Sequence, residues 1–171
     1  MNRFNYKWLA GLMDGDGCFS ISIRVDKRNN TISVCPHVFI GLKGNDSWII
    51  DYIFKETNIG HIYYSNKGKE NEICRWEVCS YNDVIKITNK LLPFLILKKK
   101  KALLFKKSID KYFKTSVSFK KRWNGKRRSN AELKFIIKNS LDLNKDRQSV
   151  RYRNKKDWLW WDKKIDELYP K

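Results

Sequence analysis

Trp8-Leu9-Ala10-Gly11-Leu12-Met13-Asp14-Gly15-Asp16-Gly17 is the stretch around which the rest of the chain is organised. Leu9, Leu12 and Met13 supply the apolar side of a helix expected over about Tyr6 to Asp14. Ala10 and Gly11 are small enough to let a second helix approach closely. The helix then runs straight into two aspartates, Asp14 and Asp16, each followed by glycine. Carboxylates at a helix C-terminus oppose each other and the helix dipole, so a cation or a partner must compensate them.

Working outward, Cys18 to Asp26 alternates. Phe19, Ile21, Ile23 and Val25 fall on one face, and Ser20, Ser22, Arg24 and Asp26 on the other, as in a strand with one buried side. Lys27 to Asn30 makes a turn into a second strand, Thr31 to Lys43, whose apolar parity leaves Ser33, His37 and Phe39 on the polar face. A bulge near Pro36 would reverse that assignment. Asn45 or Asp46 can cap a helix to about Thr57, with Ile49, Ile50, Ile53 and Phe54 as its buried stripe. A second hairpin follows, His61 to Ser65 and Ile73 to Ser80, in which Cys74, Trp76 and Val78 alternate with Arg75 and Glu77. Helices are expected from Asn82 or Asp83 to Leu92, where Pro93 breaks the run, and from Leu97 to Tyr112, burying Ala102, Leu103, Phe105 or Ile109.

The order α-β-β-α-β-β-α-α reads as an α+β fold with helices on one face of a four-stranded antiparallel sheet. Residues 1–112 are expected to form the core, and 113–171 a basic C-terminal extension packed on it. In that extension Asn124-Gly125 signals a hairpin. Ser129 with Glu132 forms a capping box for a helix to about Leu141. A last helix, about Lys155 to Leu168, aligns Trp158, Trp161, Ile165 and Leu168 for packing.

A net charge of +19 and a pI near 9.8 exceed what solubility requires and point to a polyanion, foremost nucleic acid. With 42% hydrophobic and 14% aromatic residues the chain can bury a core, which excludes a disordered polycation. No apolar run approaches the roughly 20 residues of a membrane span, and no signal peptide is visible, so an intracellular protein without a membrane partner is expected. Cys18, Cys35, Cys74 and Cys79 match no paired zinc spacing and are read as thiols.

Leu9 to Gly17 resembles the LAGLIDADG motif of homing endonucleases, with Met13 for the Ile and Gly15 for its second Ala. The similarity extends through the order of elements and through Leu91-Leu92-Pro93-Phe94-Leu95-Ile96-Leu97-Lys98, in which Lys98 resembles the active-site lysine of homodimeric members. The resemblance implies the fold of that family and a metal-dependent endonuclease that makes a staggered double-strand break. A single motif implies a homodimer through the motif helix, with Trp8, Ala10, Gly11 and Asp14 at the interface and a long, nearly palindromic double-stranded target. Asp16, helped by the Gly15 carbonyl, would ligate Mg2+ or another divalent cation such as Mn2+, with no small-molecule cofactor. Lys98 would act at the active site. Lys43 stands where such relatives often carry a water-ordering glutamine, and Ser47 where an arginine can occur.

Base reading would fall to the polar faces of the two hairpins: Ser20, Ser22, Arg24, Asp26, Arg28, Asn30, Ser33 and His37 from the first, and Tyr63, Ser65, Arg75 and Glu77 from the second. Lys145, Arg147, Arg151 and Arg153, beside a segment similar to a phosphate-gripping loop of the family, would hold the backbone. The alternative is a non-cleaving nucleic-acid binder of the same fold, an intron RNA maturase or a DNA-binding regulator. A sugar-nucleotide transferase built on the Asp-Gly-Asp pattern is excluded by the charge and by the lack of a nucleotide-binding βαβ unit.

Overall fold

The structure, a computed structural model, describes residues 4–114, 129–143 and 157–169. Within them the chain forms α1 (Tyr6–Gly15), β1 (Gly17–Asp26), β2 (Thr31–Lys43), α2 (Ser47–Thr57), β3 (His61–Ser65), β4 (Ile73–Val78), α3 (Tyr81–Leu91), α4 (Lys99–Lys114), α5 (Asn130–Leu143) and α6 (Trp158–Leu168). The strands pair in the order β1-β2-β4-β3, the four-stranded antiparallel sheet of the expected α+β fold. Residues 117–128 of the hairpin expected over 117–129 lie outside the described residues, as do Lys145, Arg147, Arg151 and Arg153.

Two compact units are distinguished: residues 1–19 with 36–103, and residues 20–35 with 104–171. In the first, α2 packs on β3 and β4, and α1 on α3. Their buried side is Leu9, Ala10, Met13, Phe19, Val38, Ile40, Ile50, Ile53, Trp76, Val78 and Ile87. Leu9 and Met13, four apart on α1, explain why that helix forms despite its acids: it is held by what it buries rather than by its C-terminal charge. Asn5 caps its other end by accepting from the Lys7 and Trp8 amides. Pro36 is buried with Val38 and Ile40, so from Pro36 onward β2 keeps the buried parity expected for it. Gly44 to Asp46 adds a 3-10 turn ahead of α2, which the sequence pattern does not announce.

Trp76 sits at the centre of this unit, fully buried, with its indole N–H donating to the Ile59 carbonyl at 2.7 Å. The next residue, Gly60, has φ of +85° and no room for a side chain: a Cβ there would lie 2.5 Å from the Glu77 carbonyl oxygen. Gly60→Ala is therefore expected to cost about 1–3 kcal/mol in urea unfolding, and an unchanged midpoint would contradict the account of this turn.

The second unit joins the tip of the first hairpin to the C-terminal helices. Ile21, Ile32, Phe105, Ile109, Tyr112, Leu133, Ile136, Ile137, Trp161, Ile165 and Leu168 are buried. The Ser140 hydroxyl donates to the Ile21 carbonyl at 2.7 Å, and the Ile32 amide donates to the Tyr169 hydroxyl oxygen at 3.0 Å. The capping box forms as expected: the Ser129 amide donates to the Glu132 carboxylate, and the Glu132 amide to the Ser129 hydroxyl. Asp157 caps α6, which begins at Trp158 rather than Lys155.

The α4 helix opens at Lys99, not Leu97, and Leu103 on it is half exposed, contrary to the burial expected for it. Ala102, Phe105, Ile109 and Tyr112 make the buried stripe, with steps of three and four residues that leave Leu103 off it.

Candidate active site

The C-terminal end of α1 and the N-terminal end of α4 are joined by a reciprocal clamp. Asp14 reaches across to the segment that opens α4: its carboxylate accepts from the amides of Ile96 at 2.7 Å, Leu97 at 3.2 Å and Lys98 at 2.8 Å. These amides precede or enter the first turn of a helix, where N–H groups have no intrahelical partner and negative charge is favourable. In return the Lys98 ammonium donates to the carbonyls of Met13 at 3.0 Å, Asp14 at 2.7 Å and Gly15 at 2.9 Å, oxygens of the last turn of α1, of which that of Met13 also accepts from the Asp16 amide. One side chain from each helix thus caps the other.

Electrostatics agree with the geometry. Burial raises the Asp14 carboxyl, but the amides of Ile96, Lys98 and Leu97 and the Lys98 charge outweigh it, so the group titrates below its ordinary value. Burial dominates at Lys98 and lowers its ammonium, against the charges of Cys18, Asp14 and Asp16. The compensating cation demanded by two acids at a helix end is therefore Lys98, from the same chain.

Beyond the clamp, Asp16 follows α1 with its side chain exposed and its own amide donating back to the Leu12 carbonyl at 2.9 Å. Gly17 must be glycine, because a Cβ there would lie 2.1 Å from the Met13 sulfur and 2.8 Å from the Met13 Cα. That close approach lets β1 begin directly on the helix end. The Asp16 carboxylate and the neighbouring Gly15 carbonyl are hard oxygen donors of the kind Mg2+ takes, so the residues present fit such an ion, with the carbonyl held meanwhile by Lys98. Lys43 ends β2 opposite Ile73, exposed, and makes no hydrogen bond or ion pair with Asp14, Asp16 or Lys98.

Of the four residues expected at a subunit interface, two are differently employed. Ala10 is wholly buried in the single chain, as Leu9 and Met13 are, which leaves it no exposed surface to offer a second helix. The Asp14 carboxylate is spent on the clamp. Trp8 and Gly11 remain exposed and, with half-buried Leu12 and exposed Gly15, line a stripe of α1 spaced by three and four residues. Nothing lies within 4 Å of where a Cβ would stand on Gly11 or Gly15. Ile96 and Leu97 in the clamped segment are 83% and 78% exposed, and their apolar side chains were not foreseen as surface.

On the polar face of β2, β4 and β3 the register sets Gly41, Arg75 and Tyr63 in one row, and Phe39, Glu77 and His61 in the next. The Arg75 guanidinium lies 4.5 Å from the centre of the Phe39 ring, a cation-π contact that orients it. Phe39, an aromatic at a polar-face position, is thus the side chain against which Arg75 rests. The Glu77 carboxylate pairs with His37, whose Nδ1 is also 3.4 Å from the Cys79 sulfur. Tyr63 and Ser65 are exposed.

On the first hairpin Arg24, Arg28, Asn30 and Ser33 are exposed. Ser20, at 7% exposure, is closed off on its strand and cannot present its hydroxyl as expected. The Ser22 hydroxyl donates to the Cys35 carbonyl at 3.4 Å. Asp26 holds the turn, accepting from the Arg28 amide and the Asn29 side chain, and the Arg28 amide is the chief reason its carboxyl titrates low.

No described helix is long and apolar enough to cross a membrane. Solved structures share the fold. An archaeal intron-encoded homing endonuclease complexed with DNA, I-Vdi141I, matches at TM-score 0.70 and 23% identity over 95% of both chains. The homing endonuclease I-CvuI, in complex with its target in the presence of calcium, matches at TM-score 0.75 and 20% identity over 95% of this chain and 93% of that one. The I-LtrWI LAGLIDADG homing endonuclease bound to target DNA matches at TM-score 0.65 and 25% identity, over 86% of this chain and 46% of that one. Residues 9–110, which run from the first residue of the motif through the clamp and into α4, match the family described as LAGLIDADG endonuclease. The chain belongs to the LAGLIDADG endonuclease family.

Proposed function

We propose that this protein is a site-specific homing endonuclease that makes a metal-dependent, staggered double-strand break in a long, nearly palindromic DNA target as a homodimer. The observation that carries the reading is the exposed Asp16 carboxylate next to the Gly15 carbonyl, at a helix end already supplied with the Lys98 ammonium. Asp16 and the Gly15 oxygen would hold Mg2+ or Mn2+, which supplies a Lewis acid for activating water and stabilising the departing 3′ oxygen. Lys98 contributes a positive charge beside that oxygen pair, where negative charge gathers on a phosphate under attack.

Dimerisation is supported by the exposed stripe Trp8, Gly11, Leu12 and Gly15, where two copies of α1 can approach closely. The bare Ile96 and Leu97 side chains would gain cover from the partner. A stable monomer in sedimentation, even with target DNA bound, would refute a shared active site.

Recognition is assigned to the polar faces of the hairpins, with Arg24 and Arg75 as the guanine readers and Phe39 as the support for Arg75. Arg75→Ala is expected to relax preference at one symmetric base pair by about 1–3 kcal/mol, read from competitive binding to single-position variants of the target. Uniform weakening across all sequences would instead make Arg75 a phosphate contact. The test of the whole reading is selection of cleaved molecules from a library of palindromic duplexes with Mg2+ and with EDTA. Recovery of one sequence family, with Mg2+ only, supports it. Specific retention of DNA or intron RNA without cleavage favours the non-cleaving alternative.

A further inference from the structure

We propose that Lys98 and the divalent ion use the Gly15 carbonyl oxygen in turn, so that loading the ion turns one Lys98 N–H away from the helix and toward the DNA. The inference rests on the metal-dependent reading above.

An ammonium has three N–H donors. Lys98 directs them at three carbonyls, those of Met13, Asp14 and Gly15, all within 3.0 Å. So held, it has no donor left for a phosphate oxygen or a water. A lysine in this position acts on substrate only by giving up at least one carbonyl.

Which one it yields follows from burial. The bonds to Met13 and Asp14 are partly buried, and abandoning either forfeits a hydrogen bond shielded from water, which is costly, most of all at Asp14, since the Met13 oxygen would keep the Asp16 amide. The bond to Gly15 is exposed, and the exposed Asp16 carboxylate follows it in the chain. There a released carbonyl meets water or a cation. Like charges also cannot share the oxygen, so the ammonium withdraws as the cation enters. Three carboxylate bonds from Asp14 to the amides of residues 96–98 fix the backbone of Lys98, which confines the movement to its side chain. Lys98 is then parked, capping α1, until the site is loaded, and it is delivered on loading.

The test measures Mn2+ affinity of the full chain by electron paramagnetic resonance for the wild type, Lys98→Met and Lys101→Met. Lys101→Met removes the same charge from α4 without touching a carbonyl. Lys98→Met is expected to tighten Mn2+ binding about tenfold more than Lys101→Met, within the usual range of coupling between sites. In the wild type the carbon-13 signals of the Gly15 carbonyl and the Lys98 Cε are expected to move together along a Mg2+ titration. Equal effects of the two substitutions, or a Gly15 signal that moves while Lys98 stays still, overturns the exchange. Should Lys98→Met fail to fold, the wild-type titration alone decides. Undiminished Mn2+ binding by Asp16→Asn sinks the metal-site reading itself. Asp16-dependent binding with an immobile Lys98 sinks the exchange alone.

Discussion

Asp16→Asn is expected to slow Mg2+-dependent cleavage by at least about 1,000-fold, because an amide removes the charged ligand on which several kcal/mol of transition-state stabilisation depend. Two other properties should move the opposite way. Asp16 lies past the last turn of α1, where a negative charge opposes the helix dipole, so its neutralisation should raise the thermal midpoint slightly. DNA binding should be retained or tighten, since one carboxylate facing a polyanion is gone. A structural role would lose stability and activity together, whereas a metal ligand gains stability as it loses activity. Plasmid cleavage in Mg2+, gel shift in Ca2+ and a melting curve on one preparation separate the two. Unchanged cleavage would remove Asp16 from the metal site.

Asp14→Ala is expected to cost about 3 kcal/mol of stability, roughly 1 kcal/mol for each amide of residues 96–98 that loses its acceptor. It should also slow cleavage by about 100-fold, because Lys98 then hangs on an unanchored segment and small misplacements of a positioned group are costly. The pH dependence carries a sign. The Asp14 carboxyl titrates below its ordinary 3.8 in the folded chain, so the unfolded chain takes up the proton first on acidification. Its contribution is present above pH about 4 and is lost as pH falls through the folded value. Urea midpoints of Asp14→Ala should therefore be flatter with pH below about 4 than those of the wild type. Asp14→Asn, which keeps one oxygen acceptor, should fall between the two. If Asp14→Ala has an unchanged midpoint, the clamp contributes nothing.

Both predictions turn on residues whose legibility in the sequence differs. The exposed place of Asp16 just past α1 could be read from the motif alone, since the motif sets it beyond a helix of recognisable period. The hairpins were equally legible, because Phe19, Ile21, Val38, Ile40, Cys74, Trp76 and Val78 obey a period of two that any half-buried strand must obey. The role of Asp14 was not legible. Its partners lie more than eighty positions away, and they are backbone amides, which carry no residue identity for a pattern to display. The burial of Ala10 was hidden for a related reason: smallness shows that a helix face can be approached closely but not by what. Ser20 and Leu103 failed where burial is set by elements distant in sequence rather than by the period of their own element.

The bond from the Ile32 amide to the Tyr169 hydroxyl spans 137 positions, and that from Ser140 to the Ile21 carbonyl spans 119. A ribosome making this chain therefore emits the first hairpin long before it emits the residues that fasten it. The motif helix and the clamp close earlier, once Lys98 has emerged. For most of synthesis the clamp can therefore be complete while the first hairpin still lacks its two long-range bonds, which only residues 140 to 169 supply. A nascent or shortened chain ending before α5 would keep most of its positive charge and the clamp while lacking the braces of the first hairpin, so on the proposed reading its affinity for DNA is expected to be general before it becomes selective.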